Sequence, residues 1–434
     1  MNKKVHPDKI PYLLVCDKKG NIFEDTAYYT VGKAGNKIVK LLSSDFIELP
    51  FGSDMFFLPG RNPVGLNIKT EKIEIIKSRL AVAAFVAPAY TITHHAVWET
   101  KKNAPRLPLF AFAAVGWLNH KFYVPALRIE NDIRQDCEQF NQKKVIAGYK
   151  KMIKIKPENR IIKHLSHCAL VYFCPAARNY FLNRWEAPLP TSPICNSQCL
   201  GCISYQPKEH KITSTQNRIT FIPAPCEIAE VAVEHLETAA NPIVSFGQGC
   251  EGEPLLVWKT LRDAIVLIRK KTQKGIINLN TNASKPEAVE ALCKAGLQSI
   301  RVSLNSVRES MYNKYYKPQK YTFNDVLESI KIARKHKIWV SVNYFVFPGV
   351  TDSNEEFTAL KKFLTEYKIN MIQWRNFNID PEWYIKELNY KYDSKLLGVN
   401  NIIQNIKKKF PQIYNGYYNP GKEIIERYLG LVRK

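Results

Sequence analysis

From about Ala187 onward, short apolar runs alternate with segments in which apolar residues recur at helical spacing. This alternation is typical of repeated βα units, whose strands form a parallel sheet. Strands are expected at 188–194, 241–249, 275–284, 299–306, 338–347 and 369–379. Helices are expected at 226–240, 253–272, 285–296, 322–337 and 354–367. Because these strands are too few for a closed eight-stranded barrel, the pattern predicts an α/β fold with a partial (β/α)6 TIM-type barrel.

Polar residues recur at every second position of the expected strands. They are Asn278, Asn280 and Asn282; Arg301, Ser303 and Asn305; Ser341 and Asn343; and Gln373 and Arg375. Alternate residues of a strand share one face, whereas strands buried between helices are usually apolar on both faces. Half-solvated strands would show the same alternation, but mainly in antiparallel sheets. We therefore predict a polar lumen that suits a polar substrate.

The segments on either side of the barrel differ from it in kind. Residues 12–25 are expected to form a hairpin that turns at Lys19–Gly20–Asn21, and helical spacing returns beyond about Asn131. We predict three domains. They are an N-terminal α+β domain (1–186) that recognises a partner or substrate, the barrel core (187–380) and a helical C-terminal cover (381–434).

Composition and charge narrow the class of protein. The chain has 434 residues, of which 45% are hydrophobic and 24% charged, as in globular proteins. The uncharged stretch 80–98 contains Pro88 and two histidines, so buried strands are expected there rather than a membrane span. Ten cysteines in a chain that we expect to be cytoplasmic favour free thiols, metal binding or catalysis over disulfides. The net charge of +24 keeps RNA among the candidate partners, although solvated lysine faces explain it as well.

The densest chemical feature is the spacing C-x3-C-x2-C formed by Cys195, Cys199 and Cys202. It falls in the loop expected after the first strand, and such loops build the active sites of βα barrels. A structural zinc site would need a fourth ligand. The candidates are Cys226, Cys250 and His210. A [4Fe–4S] cluster usually takes four cysteines, so three would leave one iron open to another molecule.

In this position the cysteine loop resembles that of the radical S-adenosylmethionine (radical SAM) enzymes. The resemblance implies a [4Fe–4S] cluster on Cys195, Cys199 and Cys202, with SAM on the open iron. One electron would then cleave SAM to methionine and a 5′-deoxyadenosyl radical, which abstracts a hydrogen atom from the substrate. Because such a cluster is oxygen-labile, the resemblance also implies a reducing cytoplasm. The electron would come from a low-potential donor such as ferredoxin or flavodoxin.

Further segments extend the resemblance over residues 187–380. CEGEPLL (250–256) resembles the family's Gly-Gly-Glu-Pro segment, whose backbone binds the methionine amino group, with Glu251 in place of the first glycine. TNAS (281–284), VSLNS (302–306) and FVFPGVTD (345–352) stand where family members contact the carboxylate, ribose and adenine of SAM. The implied cofactor-binding residues are Gly252, Glu253, Asn282, Ser303, Asn305 and Val346.

Two departures from the family pattern lie close to the cysteines. Gly201 stands where family members place an aromatic residue against the adenine, and Tyr205 is a candidate substitute. The insertion at 204–225 is long for this position and is expected to form a hairpin over the cluster. Neither departure affects the three cysteine ligands.

Other residues are weaker candidates for catalysis or metal binding. Arg375 suits a substrate carboxylate or phosphate, or equally a structural pair with an Asp. Cys250 could donate a hydrogen atom or bind substrate, or simply pack in the core. An auxiliary metal site is conceivable in HLSHCALVYFC, against the alternative of a partly buried helix. Its members would be His164, His167, Cys168 and Cys174.

Two classes of function remain open. The first is a radical SAM enzyme that modifies a peptide, protein, RNA or small metabolite. The second is a non-enzymatic binding protein stabilised by zinc or an iron–sulfur cluster, for which nucleic acid is a candidate ligand. SAM cleavage would identify the first, whereas salt-sensitive RNA binding would favour the second.

Overall fold

A computed structural model describes residues 7–392 and 395–429. The chain forms two compact units, each assembled from separate segments. The described parts of the first unit lie within 7–138, 345–361 and 374–409, and those of the second within 139–344, 362–373 and 410–429. These units do not coincide with the three segments expected from the sequence, whose limits stay a prediction.

The N-terminal part of the first unit is built from short strands. They are β1 (Tyr12–Cys16), β2 (Ile22–Tyr29), β3 (Val31–Ala34), β4 (Lys37–Lys40), β5 (Ile47–Glu48), β6 (Asp54–Leu58), β7 (Arg61–Asn67), β8 (Ile73–Ile75), β9 (Leu80–Phe85), β10 (Tyr90–Ile92), β11 (Trp98–Thr100), β12 (Gly116–Leu118), β13 (Lys121–Val124) and β14 (Ala126–Arg128). Strands β1 and β2 pair antiparallel across the expected turn, which confirms the hairpin.

The uncharged stretch 80–98 also has the expected structure. It contains β9 and β10, and Ala81, Ala83 and Ala84 of β9 are almost completely buried. Among the described residues, no helix is long and apolar enough to cross a membrane.

The remaining elements alternate between helices and strands. They are α1 (Gln142–Ile155), α2 (Arg160–Leu170), α3 (Pro175–Phe181), β15 (Arg184–Pro188), α4 (Pro225–Thr238), β16 (Ala240–Phe246), α5 (Trp258–Lys271), β17 (Ile276–Thr281), α6 (Pro286–Ala295), β18 (Ser299–Leu304), α7 (Glu309–Tyr316), α8 (Phe323–Lys335), β19 (Trp339–Val346), α9 (Asn354–Tyr367), β20 (Met371–Asn376), α10 (Pro381–Leu388), α11 (Val399–Lys409), β21 (Tyr414–Gly416) and α12 (Lys422–Leu429). Single 3-10 turns lie at Ser43–Asp45, Ile133–Gln135, Cys137–Gln139, Lys208–His210 and Pro254–Val257.

Strands β15 to β21 form one sheet in chain order, with parallel pairing. The α/β fold with a partial barrel is therefore confirmed. The sheet has a seventh strand, β21, where the sequence predicted only helical cover. Its three residues are too few to show a strand period, and β21 depends on its pairing with β20.

The first barrel strand lies earlier than predicted. It ends at Pro188, and residues 189–194 have no regular secondary structure, although the N–H of Leu189 still donates to the carbonyl of Ser245 on the neighbouring strand (2.8 Å). Pro190 and Pro193 follow, and proline cannot donate the hydrogen bonds of a central strand. The apolar run at 188–194 is therefore the start of the cysteine loop.

One face of the sheet has an apolar layer followed by a polar layer. Near the strand starts, Ile243, Ile276, Trp339 and Met371 form one buried cluster with Trp185. Two residues further along, the same face carries polar side chains. These are Ser245, Asn278, Ser341 and Gln373, all buried. The sequence prediction of a polar face is confirmed. The polar side chains occupy only the C-terminal parts of the strands, because the apolar layer occupies the starts of the strands.

Candidate functional site

Cys195, Cys199 and Cys202 lie in the irregular segment between β15 and α4, in the first βα connection of the sheet. The loop is compact: the N–H of Cys202 donates to the carbonyl of Cys199 (3.2 Å). The side-chain amide of Gln206 donates to the carbonyls of Leu200 (2.9 Å) and Cys202 (2.8 Å). The predicted metal ligands are thus held by backbone contacts within one short loop.

Burial disfavours the charged form of the Cys195 and Cys199 thiols. It raises the pKa of Cys195 to about 11, with a further contribution from the Glu253 carboxylate. It also raises the pKa of Cys199 well above the usual range, and Cys202 and Cys195 add to this shift. Thiolates crowded in such a place require a positive partner. Iron ions supply that charge, so the cysteine loop fits a [4Fe–4S] cluster.

The carboxylate of Glu251 holds the start of the cysteine loop. It is buried and accepts hydrogen bonds from the N–H (2.8 Å) and hydroxyl (3.0 Å) of Thr191 and from the N–H of Ser192 (3.0 Å). Its other oxygen accepts from the N–H groups of Gly247 (2.5 Å) and Gln248 (3.1 Å). The residue that departs from the family's glycine therefore joins the first two βα loops.

Gly252 and Glu253 run alongside the same loop. The N–H of Gly252 donates to the carbonyl of Ser192 (2.7 Å), and that of Glu253 donates to the carbonyl of Ile194 (2.8 Å). A Cβ on Gly252 would lie 2.0 Å from the carbonyl oxygen of Ile194, so only glycine permits this approach. Both N–H groups are bonded within the protein. A contact to an amino group would use the carbonyl oxygens, which are the acceptors that it needs.

The Glu253 side chain connects this segment to the end of β17. Its carboxylate accepts from the hydroxyl of Thr281 (2.5 Å) and from the N–H groups of Asn282 (2.8 Å) and Leu255 (3.0 Å). Burial raises the pKa of this carboxyl to about 7, against the opposing effect of these hydrogen bonds. Glu253 is therefore a positioning residue for the third βα loop as well as part of the second.

Asn282 contacts the cysteine loop directly. Its amide donates to the side-chain oxygens of Asn196 (2.9 Å) and Ser197 (2.9 Å). Asn196 in turn donates to the hydroxyl of Ser284 (2.9 Å). Asn282, one of the predicted SAM contacts, is thus bonded to the two residues that follow Cys195 in the chain. Asn196 and Ser197 were missed because a sequence does not show which side chains of a loop meet another loop.

The opposite side of the cysteine loop contacts the end of α7. The N–H groups of Gln198 and Leu200 donate to the carbonyls of Tyr316 (2.9 Å) and Tyr315 (3.1 Å). The Ser197 hydroxyl lies 2.7 Å from the hydroxyl of Tyr321. Helix α7 was not predicted, and it contacts a later part of the loop than the Gly252 segment does.

The other predicted cofactor contacts lie on or after barrel strands. Ser303 is partly exposed on β18, opposite Asn343 of β19. Asn305 is buried just after β18 and donates to the carbonyl of Met311 (3.2 Å). Val346 is buried at the end of β19, and Arg375 is half-buried on β20. Of this group, the structure places Ser303 and Asn305 in the second unit and Val346 and Arg375 in the first.

The insertion at 204–225 does not form the predicted hairpin. Its only regular structure is the 3-10 turn Lys208–His210. It does supply Arg218, whose guanidinium donates to the hydroxyl of Ser204 (3.2 Å) and to the sulfur of Cys202 (3.6 Å). Tyr205 is exposed, with the Arg218 guanidinium 5.5 Å from its ring centre. No periodic or motif signal in the insertion identified Arg218.

The polar sheet face forms one hydrogen-bonded network in the second unit. The amide of Asn278 donates to Ser245 (3.1 Å) and Asn280 (2.9 Å), and Arg301 donates to Gln373 (3.3 Å). Gln373 donates to Asn419 (3.0 Å), and Asn419 donates to Glu186 (2.7 Å). The network places amide, carboxylate and guanidinium groups on the same sheet whose loops carry the cysteines. Such groups can bind a polar substrate.

Cys250 and the cysteine–histidine segment on α2 come together. The ligand atoms of His164, Cys168 and Cys250 all lie within 4.8 Å of one another. Cys250 is buried there, beside helix α2 of the same unit.

Comparisons with known proteins agree with the site. Residues 189–361 match the family model described as the radical SAM superfamily. A search of curated proteins finds no match. Among solved structures, anSMEcpe with bound AdoMet is 18% identical over 44% of this chain and 51% of its own, with a TM-score of 0.35. The chain therefore spans about half the length of that relative.

Two further solved structures are similar. Methylornithine synthase (PylB) is 15% identical over 56% of this chain and 68% of its own, with a TM-score of 0.38. The FeFe-hydrogenase maturase HydG from Carboxydothermus hydrogenoformans is 14% identical over 67% of this chain and 73% of its own, with a TM-score of 0.38. These scores are too low to bear on the reaction. The match of residues 189–361 to the radical SAM family model agrees with the geometry of the cysteine loop.

Proposed function

We propose that this chain is an enzyme that removes a hydrogen atom from a polar substrate by radical SAM chemistry. Radical SAM domains take a [4Fe–4S] cluster and SAM as their cofactors. When bound, these cofactors supply one electron and a cleavable sulfonium, which yield methionine and a 5′-deoxyadenosyl radical. The observation that carries the proposal is the loop with Cys195, Cys199 and Cys202, hydrogen-bonded to both the Gly252 segment and helix α7.

Each residue predicted to bind the cluster or SAM has a role in this proposal. The three cysteines hold the cluster, and the carbonyls of Gly252 and Glu253 accept from the amino group of SAM. Asn282 and Asn305 contact the carboxylate and ribose together with Ser303, and Val346 borders the adenine. Asn282 is also bonded to the cysteine loop, so it would place the SAM carboxylate relative to the cluster.

The polar sheet face supports a polar substrate. Arg301, Gln373 and Asn419 form part of one network with Glu186. A peptide, an RNA or a small polar metabolite would find both donors and acceptors there. Arg375 on β20 would pair with a carboxylate or phosphate of that substrate, since its planar fork suits bidentate contacts.

The electron would come from a low-potential protein such as ferredoxin or flavodoxin. The net charge of the chain is +24, and a strongly basic protein attracts acidic partners over a distance that salt shortens. We therefore expect an acidic donor, with electron transfer that slows as ionic strength rises.

The deciding experiment is an assay for 5′-deoxyadenosine. The protein is reconstituted with iron and sulfide under anaerobic conditions and reduced with dithionite in the presence of SAM. We expect product from the wild type and none from Cys195→Ala, Cys199→Ala or Cys202→Ala. The matched control is Cys226→Ala, because Cys226 is exposed and lies outside the loop.

A different result would favour the second class of function. A preparation that binds zinc, or an iron cluster that never cleaves SAM, would overturn the enzymatic proposal. Salt-sensitive RNA binding by that preparation would then favour a metal-stabilised nucleic-acid-binding protein.

A further inference from the structure

A second set of side chains of the kinds that bind metals uses none of the three cysteines of the loop. His164 and Cys168 are four residues apart on α2, so they share one face of the helix. The nitrogen Nε2 of His164 lies 3.6 Å from the sulfur of Cys168. The sulfur of Cys250, just after β16, completes a group whose ligand atoms are all within 4.8 Å of one another. Helix α2 and the second βα loop meet at this point.

These distances fit the ligands of a single ion. Tetrahedral zinc with Zn–S of about 2.3 Å and Zn–N of about 2.1 Å sets neighbouring sulfur and nitrogen ligands about 3.6 Å apart. The observed separation between His164 and Cys168 is 3.6 Å. In an iron–sulfur cubane each cysteine binds a different iron, which places the sulfurs farther apart than the ligands of one ion. The spacing therefore favours a mononuclear site.

Cys174 stands next to this group. After α2 the chain reverses through Phe173, which has the left-handed φ of 52° that residues with side chains rarely adopt. The N–H of Cys174 then donates to the carbonyl of Cys168 (3.0 Å). This hydrogen bond holds the backbone of Cys174 beside that of Cys168, although the Cys174 sulfur is not among the ligand atoms that lie within 4.8 Å of one another. Cys174 is therefore a candidate for a fourth ligand.

We propose that His164, Cys168 and Cys250 bind a single zinc-type divalent ion, with Cys174 as the fourth ligand. Three thiolates and one imidazole are a ligand set typical of structural zinc. The ion would join α2 to Cys250, the residue directly before Glu251 and Gly252. The ion would thus fix the start of the Gly252 segment, which contacts the cysteine loop. The zinc site is independent of the proposed SAM chemistry.

The test uses full-length protein that cannot hold the iron–sulfur cluster. In the triple variant Cys195→Ala, Cys199→Ala, Cys202→Ala, elemental analysis after expression with zinc should give one zinc per chain. Adding His164→Ala or Cys168→Ala should reduce the zinc content at least tenfold. Adding Cys226→Ala, the exposed-cysteine control, should leave it at one.

Two further measurements separate loss of a ligand from misfolding. His164→Cys supplies a replacement thiolate and should keep the zinc content at one. In the cobalt-substituted triple variant, Cys174→Ala should weaken the sulfur-to-cobalt charge-transfer absorption in proportion to the lost thiolate. Unchanged absorption would mean that water and not Cys174 is the fourth ligand, and it would overturn that part of the proposal.

Three results would overturn the site itself. One is a triple variant that carries no zinc after expression and refolding with zinc. Another is a disulfide between Cys168 and Cys250, found by mass spectrometry of protein prepared anaerobically without added thiol. The third is zinc content that is unchanged by both His164→Ala and Cys168→Ala.

Discussion

The Glu251 carboxylate accepts hydrogen bonds from both the N–H and the hydroxyl of Thr191, at 2.8 and 3.0 Å. Thr191 lies four residues before Cys195, and Glu251 lies in the loop after the next strand of the sheet. This buried carboxylate accepts three further hydrogen bonds from backbone N–H groups. The first cysteine is therefore positioned by a residue nearly 60 positions away along the chain.

Replacing Glu251 should weaken both the fold and the cluster site. Glu251→Ala leaves several buried N–H groups without acceptors, so we expect a loss of about 3 kcal/mol in the free energy of unfolding. Glu251→Gln should lose less stability than Glu251→Ala, because one side-chain oxygen remains as an acceptor. It should still be less stable than the wild type, because its NH₂ group would face donors. Denaturant unfolding and the iron content after reconstitution measure the two effects.

The control for Glu251 is Glu290→Ala. Glu290 is a half-exposed residue of α6, paired with Lys294 one turn away (2.8 Å), and its replacement should change stability far less, because such ion pairs near the surface are weak. If Glu251→Ala matched this control in stability and iron content, the proposed role of the carboxylate would be wrong.

Gly252 should tolerate no side chain. An added Cβ would lie 2.0 Å from the carbonyl oxygen of Ile194, which is backbone and cannot swing away. Gly252→Ala should therefore separate the second βα loop from the cysteine loop, with loss of iron binding and a destabilisation of roughly 2 to 4 kcal/mol. Gly421→Ala is the matched control, since its Cβ meets only the end of the flexible Glu423 side chain. Equal iron content in the two variants would contradict the prediction.

The sequence predicted those features that depend on local pattern. Helical and strand periods located the βα units, and alternation of polar residues along β17 and β20 identified the polar face. The first strand was placed too late, because 188–194 is apolar but contains Pro188, Pro190 and Pro193. Strand β21 has three residues and no period of its own. Its place comes from its partner strand, which a local pattern does not show.

Contacts between distant segments could not be predicted from the sequence. Glu251 read as a departure from a family pattern, whereas its five hydrogen bonds give it a structural role. The closeness of Cys250 to His164 depends on how α2 packs beside the second βα loop. Arg218 lies in an insertion without regular structure, and only the fold brings it to Cys202.

Arg218 should raise the reduction potential of the cluster bound at the cysteine loop. Its guanidinium lies 3.6 Å from the Cys202 sulfur, where a positive donor stabilises added negative charge. Arg218→Gln should therefore make the reduction potential of the reconstituted cluster more negative, with iron content unchanged. Potentiometric titration followed by electron paramagnetic resonance measures the shift.

The comparison for Arg218 is Arg262→Gln. Arg262 is an exposed residue of α5 that pairs with Asp263. Its loss changes the net charge by the same amount without a contact to the cysteine loop. Identical potentials for the two variants would mean that Arg218 acts only through overall charge.

His235 should make the stability of the protein depend on pH. It is buried on α4, where its ring nitrogen Nε2 lies 2.9 Å from the carbonyl oxygen of Trp185 and donates to it. Burial lowers the pKa of His235 to about 4, whereas an unfolded chain has a histidine pKa of about 6.5. The unfolded state therefore binds a proton first as the pH falls. Stability is fully present above pH 6.5 and decreases between about 6.5 and 4, by on the order of 3 kcal/mol.

His235→Gln removes this titration while keeping a side-chain N–H that can reach the same carbonyl. The free energy of unfolding of the variant should lie below that of the wild type at pH 7.5, because the amide fills the buried site less well. The gap should narrow as the pH falls toward 4.5, since only the wild type has a histidine at this position. Urea unfolding at a series of pH values measures this gap. His120→Gln, which removes an exposed histidine, should retain the pH dependence of the wild type, and a constant gap for His235→Gln would show that His235 does not titrate as its burial requires.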